Sequence, residues 1–256
     1  MNALLADPSF YAVAVPAVLL VGLSKGGFGG AMGFVGVPLM ALVMSPVKAA
    51  AILLPILVLM DIVSLWTWRG VFDRRILAIM LPGSMAGIAA GWMMAAMVTA
   101  DMVRLIVGAV AIVFAFRWFY LRYRHGADHA TKPKRIAGVF WGAVAGWTSF
   151  VAHIGGPPYQ MYTLPLRMDP KIYTGTSVVF FAVTNAVKLI PYFALGQLDA
   201  ANLTASAMLM PLAPLATLAG AWLVRRMRPE AFYTLSYATV AVVALKLLWD
   251  GAAQLF

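Results

Sequence analysis

The chain has 256 residues, of which 63% are hydrophobic and only 11% are charged, and its mean hydropathy is +0.88. A soluble globular domain carries roughly 25% charged residues, so this composition excludes an ordinary soluble protein. The net charge of +10 is interpreted as a sign of membrane orientation, because cytoplasmic loops accumulate Lys and Arg, and no nucleic-acid partner is expected. The absence of cysteine excludes disulfides and cysteine-bound metals.

The first apolar stretch, 10–44, is interrupted by the segment GLSKGGFGGAMGFVGVP at 22–38. Glycine weakens a helix, and a charge such as that of Lys25 is costly in lipid. Irregular backbone at membrane depth is tolerated only where protein or a water-filled cavity satisfies its amides. The segment therefore predicts a break that carries Lys25 into an interior site. The alternative is a shallow segment from which the Lys25 ammonium reaches the membrane interface.

Three long apolar segments follow this stretch, and three more follow a second interrupted stretch at 136–166. Each is long enough to cross a hydrocarbon core of about 30 Å as a helix. The six predicted spans are 47–68, 75–97, 102–121, 171–195, 200–224 and 231–249.

The second interruption, SFVAHIGGPPYQMY at 149–162, places two glycines directly before two prolines. Proline lacks an amide donor and suits the first position of a helix. A helix that begins near Pro157 would direct its positive end at the break. Two such ends facing each other across the two interruptions would form an anion site that needs no cofactor.

The two halves of the chain repeat each other, since 37–61 aligns with 157–185 and places Asp61 opposite Asn185. The charges of matching connections are reversed. The connection at 69–75 is basic, whereas its counterpart at 195–202 has no Lys or Arg. Matching loops with opposite bias are expected on opposite sides of the membrane, which is the pattern of an inverted-topology repeat.

The predicted fold is therefore an all-α membrane protein with two inverted-topology repeats. Each repeat is a glycine-broken helix or re-entrant hairpin followed by three transmembrane helices. The predicted boundaries are 1–123 for the first repeat, 124–134 for a basic cytoplasmic linker and 135–256 for the second repeat. Arrangements with eight or with ten full spans remain alternatives.

Four ionisable residues fall inside or beside the apolar segments, and such residues mark functional sites by default. They are Lys25, Asp61, His153 and Lys188. Two lysines near a histidine suit a carboxylate or a sulfonate better than a cation. Asp61 is interpreted either as the counter-ion of a lysine or as an acceptor for a coupling proton. His153 is the second candidate for coupling, since histidine titrates near neutral pH. Helix pairing for Asp61 and hydrogen-bonded packing for His153 are the structural alternatives.

Three segments, GVPLM (36–40), AHIGGPPYQMYTL (152–164) and TGTSVVFFAVTNAVKLIPYFALGQL (174–198), resemble the sulfite exporter TauE/SafE family of membrane transporters. The resemblance implies transport of sulfur-containing anions, such as sulfite, sulfonates and sulfoacetate, across the bacterial cytoplasmic membrane, usually outward. It also implies a substrate region in each repeat. The implied residues are Gly26, Gly27, Gly29, Gly30, Gly33 and Pro38 in the first repeat and Gly155, Gly156, Pro157, Pro158, Thr176, Asn185 and Lys188 in the second. The family pattern leads us to expect a small or polar residue before the glycines, and Lys25 departs from it.

The predicted function is that of a secondary transporter of small sulfur-containing or organic anions, with alternating access at a midplane site between the repeats. An anion channel is the first alternative. An intramembrane lipid-modifying enzyme is a weaker one, because it would need a nucleophile and a base at one depth. We expect no enzymatic activity, no cofactor and no metal. The expected location is the bacterial inner membrane, and the expected partners are the lipid bilayer, a small anion and a second copy in a homodimer.

Overall fold

The computed structural model of the protein describes residues 7–27, 35–95 and 130–255, together with positions 116 and 120. Within these ranges the chain forms helices and connecting turns, with no strand. The helices are α1 (Pro8–Gly27), α2 (Gly36–Met40), α3 (Pro46–Thr67), α4 (Arg74–Met93), α5 (Arg135–Ala152), α6 (Gly156–Thr163), α7 (Pro170–Ala194), α8 (Ala200–Leu209), α9 (Leu212–Arg226) and α10 (Pro229–Leu255).

Four of these helices, α1, α3, α4 and α7, are long and apolar enough to cross a membrane, and α8 with α9 forms a fifth candidate. The predicted spans 47–68, 75–97 and 171–195 correspond to α3, α4 and α7. The predicted span 200–224 is bent by 49° where α8 meets α9, next to Pro211, and proline is a common cause of such kinks. The predicted span 231–249 lies within α10, and 102–121 falls almost entirely outside the described residues.

The prediction that Lys25 lies in a break is wrong, because α1 remains helical to Gly27. Its glycines serve close helix packing instead. A Cβ atom on Gly26 would lie 1.9 Å from the Thr217 carbonyl oxygen of α9, so a side chain would force the helices apart. Such contacts between small residues hold membrane helices together, and here they offset the low helix propensity of glycine.

Helices α4 and α5 pack in the same manner. A Cβ atom on Gly87 would lie 2.0 Å from the Ala143 carbonyl oxygen, and one on Gly83 would lie 2.1 Å from the Val139 carbonyl oxygen. Because the residue numbers rise together along both helices, α4 and α5 are parallel. The same criterion makes α1 parallel to α9.

Helix directions follow from contacts between residues. Along α3 and α7, Asp61 contacts Asn185 whereas Val71, just beyond α3, contacts Gly175, so these two helices are antiparallel. Helix α1 is parallel to α3, since Gly22 adjoins Met60 and Trp68 Nε1 donates to the Gly26 carbonyl. Hydrogen bonds Ser84–Thr184 and Asp73–Thr176 make α4 parallel to α7. Helices α1, α3 and α9 therefore form one set that runs in one direction, and α4, α5 and α7 form a second set that runs in the opposite direction.

The second interrupted stretch folds back on itself. Helix α5 ends at His153, which has a left-handed backbone with φ of 55°. After α6, the Tyr162 hydroxyl donates to the Lys134 carbonyl at 3.2 Å, and Thr131 N donates to the Pro165 carbonyl at 2.9 Å. The stretch thus returns to the end of the molecule where α5 began, as a re-entrant hairpin does.

Most of the described cations lie at one end of the helices, which we call the basic end. The loops and helix ends at this side of the molecule contact one another. For example, Arg225 Nη2 at the end of α9 donates to the Thr67 carbonyl at the end of α3, at 2.6 Å. The cations of the basic end are Arg69, Arg74, Arg75, Lys132, Lys134, Arg135, Arg167, Lys171, Arg225, Arg226 and Arg228. At the opposite end of the described helices, where α3 begins, the cation is Lys48. This asymmetry is the one that positions a membrane protein with its basic end in the cytoplasm.

Candidate functional site

A small cavity lies among α1, α3, α5, α7 and the start of α6, deep between the two sets of helices. Its volume is about 30 Å³. A water molecule needs roughly 10–15 Å³ by this measure, so the cavity has room for about two. The lining residues are Val21, Lys25, Leu53, Leu57, Ser149, His153, Gly156, Phe181, Asn185 and Lys188.

Lys25 and Asp61 form a buried ion pair on one side of the cavity. Their relative exposures are 8% and 4%. The Lys25 ammonium bonds Asp61 Oδ1, and Asn185 Nδ2 donates to Asp61 Oδ2 at 2.7 Å. Both carboxylate oxygens are therefore occupied, as a buried charge requires. This geometry excludes the alternative in which Lys25 reaches the membrane interface, and it makes Asp61 the counter-ion of Lys25.

Lys188 lies on the other side of the cavity and is fully buried. Its ammonium is 3.0 Å from the Ser149 carbonyl oxygen, 3.1 Å from Ser149 Oγ and 2.8 Å from His153 Nδ1. These three partners are electrically neutral acceptors. They satisfy the hydrogen bonds of the ammonium but leave its charge uncompensated.

His153 connects three helices around this ammonium. Its Nε2 is 3.0 Å from the Ala50 carbonyl oxygen of α3, and its ring stacks on Tyr192 of α7 with centroids 6.1 Å apart. Because the Ala50 carbonyl can only accept, Nε2 carries a proton and donates to it, which leaves Nδ1 of the neutral ring to accept from Lys188. Nδ1 also lies 3.1 Å from the Ser149 carbonyl oxygen. His153 thus packs by hydrogen bonding while it also lines the cavity.

Basic groups outnumber acidic ones at the cavity. Lys25 pairs with Asp61, whereas Lys188 and His153 have no acidic side chain of the described ranges within hydrogen-bond distance. Among the described residues the Lys25–Asp61 contact is the one salt bridge. A buried charge without a counter-charge is costly in an apolar environment, so a protonated Lys188 lacks the acidic partner that Lys25 has.

The start of α6 adds to this positive character. Gly155 precedes the helix, Gly156 begins it, and Pro157 and Pro158 occupy its first positions. Gly156 lines the cavity, so the positive end of α6 faces the same space. Phe181 closes another side, with its ring centroid 6.0 Å from Lys25 Nζ.

Several predicted substrate residues lie away from the cavity. Thr176 is at the basic end, where its hydroxyl accepts from Asp73 N at 2.9 Å. Gly26 and Gly27 pack against α9, and their carbonyls accept from Trp68 Nε1 and Thr174 Oγ1, both at 2.9 Å. These three residues therefore contact other helices and do not line the cavity. Gly29, Gly30 and Gly33 are outside the described residues.

Sequence reasoning missed Ser149 and Phe181 as site residues. The signal was present, because Ser149 is one helical turn before His153, and Phe181 is one turn before Asn185. Residues four apart share a helix face, so each lies beside a residue already proposed for the site. No group of three or more metal-ligating side chains occurs in the part of the chain that the structure describes.

A family model described as sulfite exporter TauE/SafE matches residues 14–247. The match includes both interruptions, 22–38 and 149–162, and every residue that lines the cavity. Comparisons with curated proteins and with solved structures gave no match.

Proposed function

Because the chain belongs to the sulfite exporter TauE/SafE family, we propose that it carries small sulfur-containing or organic anions across a membrane through the cavity beside Lys188. The family is one of sulfite exporters, and outward transport of sulfite, sulfonates or sulfoacetate is assigned to this chain on that basis. The bacterial inner membrane, with the basic end in the cytoplasm, is the corresponding location.

One observation carries the proposal: the buried Lys188 has no acidic partner among the described residues, so the cavity has a net charge of one when Lys188 is protonated. Lys188 meets only neutral acceptors, while the Lys25 charge is used by Asp61. An anion in the cavity would complete the charge balance. It would replace one of the three neutral acceptors around the Lys188 ammonium and form a strong, charge-assisted hydrogen bond. A cation would meet repulsion at the same place.

Alternating access is the mechanism that the arrangement supports best. The cavity lies where α3 crosses α7, and corresponding helices of the two halves run in opposite directions, as inverted-topology repeats do. The set α1, α3 and α9 would rock against the set α4, α5 and α7. The glycine contacts within each set would keep it rigid during this movement, and the cavity would open first to one end and then to the other.

Asp61 offers a route for coupling to protons. Its carboxylate neutralises Lys25, so a proton on Asp61 would raise the charge of the site from one to two. The binding of a proton and of an anion would then favour each other, as linked equilibria must. His153 is the second candidate for proton coupling, because its Nδ1 is hydrogen-bonded to the Lys188 side chain.

Counterflow in proteoliposomes tests the proposal. Vesicles that contain the purified protein are loaded with unlabelled sulfite or methanesulfonate, and uptake of the labelled anion is followed. Saturable uptake that rises with internal anion supports a carrier. Flux that is strictly linear in concentration and indifferent to internal anion would show a channel, and no flux above that of empty vesicles would refute transport of these anions.

A further inference from the structure

A second, larger cavity lies at the basic end between the first turns of α4 and α5, and it shares no lining residue with the cavity beside Lys188. Its volume is about 250 Å³, and it is lined by Arg75, Ala78, Ile79, Arg135 and Val139. It therefore combines two guanidinium groups with an apolar floor.

Neither arginine has an acidic partner in the described part of the chain, where the salt bridge is that of Lys25 with Asp61. The nearby Asp73 carboxylate caps α4, since its Oδ1 accepts from Arg75 N at 2.8 Å and from Ile76 N at 3.1 Å. That carboxylate is thus engaged by the backbone. Two exposed arginines therefore border the cavity without a counter-charge.

The helix starts add to the positive potential. Because α4 and α5 are parallel, both direct their positive ends at this place. Helix α5 begins after Lys134 with no side-chain cap, and its first residue is Arg135. Cations at a helix start are the reverse of the favoured arrangement. A bound anion would remove this unfavourable arrangement.

The surface beside the cavity is apolar and exposed. Ile136 is 88% exposed, Val139 43% and Phe140 57%. They are spaced at i, i+3 and i+4 on α5 and so share one face with the cavity. An anionic group here would sit next to a surface suited to hydrocarbon, which is the chemistry of a phospholipid and not of a free ion.

We propose that this cavity binds an anionic phospholipid of the leaflet at the basic end, with its phosphate between Arg75 and Arg135 and an acyl chain along Val139 and Phe140. Basic pockets between transmembrane helices at the cytoplasmic side are known to take such headgroups. A lipid held here would clamp α4 to α5, which pack closely through Gly83 and Gly87, without taking part in transport.

The test is lipid binding by the full-length protein in a neutral detergent. Short-chain phosphatidylglycerol, short-chain phosphatidylcholine and inorganic phosphate are titrated separately, and bound lipid is counted by native mass spectrometry beside thermal unfolding. We expect phosphatidylglycerol to bind and to raise the unfolding temperature at concentrations where the other two do neither.

The double variant Arg75→Gln/Arg135→Gln should lower the affinity for phosphatidylglycerol by about tenfold or more, because two charge-assisted contacts are lost. The matched control is Arg69→Gln/Arg226→Gln, which removes two arginines of the same end that stack on Trp66 and Trp222. The control should bind as the unaltered protein does.

Three results would overturn the proposal. They are equal binding of the two lipids by the unaltered protein, equal losses in the double variant and in its control, and an inorganic phosphate effect that matches that of phosphatidylglycerol. The last would make the cavity a soluble-anion site. Anion transport at the other cavity is measured separately, so the failure of one proposal leaves the other standing.

Discussion

The Lys25–Asp61 ion pair should contribute to stability only as a pair. Lys25→Met leaves the Asp61 carboxylate buried with Asn185 as its partner, and Asp61→Asn leaves the Lys25 ammonium buried without a counter-ion. Removing one member of a buried ion pair typically costs about 3–5 kcal/mol, whereas replacing both by uncharged residues of similar volume is often neutral or stabilising. We therefore expect each single variant to be strongly destabilised and the double variant to be within about 1 kcal/mol of the unaltered protein.

The assay is a double-mutant cycle in mixed micelles. Unfolding by added denaturing detergent is followed by the fluorescence of the eight tryptophans. Expected coupling is at least about 3 kcal/mol, well above the additivity error of roughly 0.5 kcal/mol for independent sites. Lys171→Met, an exposed lysine at the start of α7, serves as the control for losing a positive charge. Additive effects of the two single variants would refute the pairing, and with it the net charge of one assigned to the cavity.

Three further predictions concern charge, packing and topology. Asp61→Asn raises the charge of the cavity to two, so competition assays should show a shift in preference from methanesulfonate towards the dianion sulfate; an unchanged ratio would contradict the charge count. Gly87→Ala should destabilise by about 1–3 kcal/mol through overpacking, because its Cβ would meet the Ala143 backbone, whereas at Gly91 the nearest atom belongs to the Phe150 side chain, which can move. Equal unfolding midpoints of Gly87→Ala and Gly91→Ala would argue against close backbone packing. Cysteines introduced by Asp199→Cys and Arg226→Cys should react with a membrane-impermeant reagent from opposite sides, and labelling from one side would contradict the inverted arrangement.

Three predicted spans, 47–68, 75–97 and 171–195, correspond to the single helices α3, α4 and α7. Their length and hydropathy were enough to predict helices that can cross a membrane, whereas the equally apolar run 200–224 bends next to Pro211. The structure of the glycine-containing segment 22–27 could not be decided from the sequence, because glycine is typical both of irregular backbone and of close helix contacts. Only the position of α9, which places Thr217 beside Gly26, decides between the two.

The candidate site followed the same pattern. The rarity of charges in membrane segments led us to predict Lys25, Asp61, His153 and Lys188 as site residues, and the structure brings these four side chains together. The sequence could not show that Lys25 pairs with Asp61, because this contact depends on how α1 and α3 are positioned along each other. Thr176 was included by family resemblance, which indicates a region but not a depth, and it lies at the basic end beside Asp73.

The central claim is that the uncompensated charge of Lys188 binds the anion, and a direct binding measurement tests it. Calorimetric titration of methanesulfonate or sulfite into the purified protein is compared for Lys188→Met and Lys171→Met, two lysines of the same helix of which only Lys188 is buried at the cavity. A charge-assisted hydrogen bond contributes roughly 1.5–3 kcal/mol, so Lys188→Met should weaken binding by about 10-fold to 150-fold, while Lys171→Met leaves it unchanged. Unaltered affinity in a folded Lys188→Met protein would contradict the account.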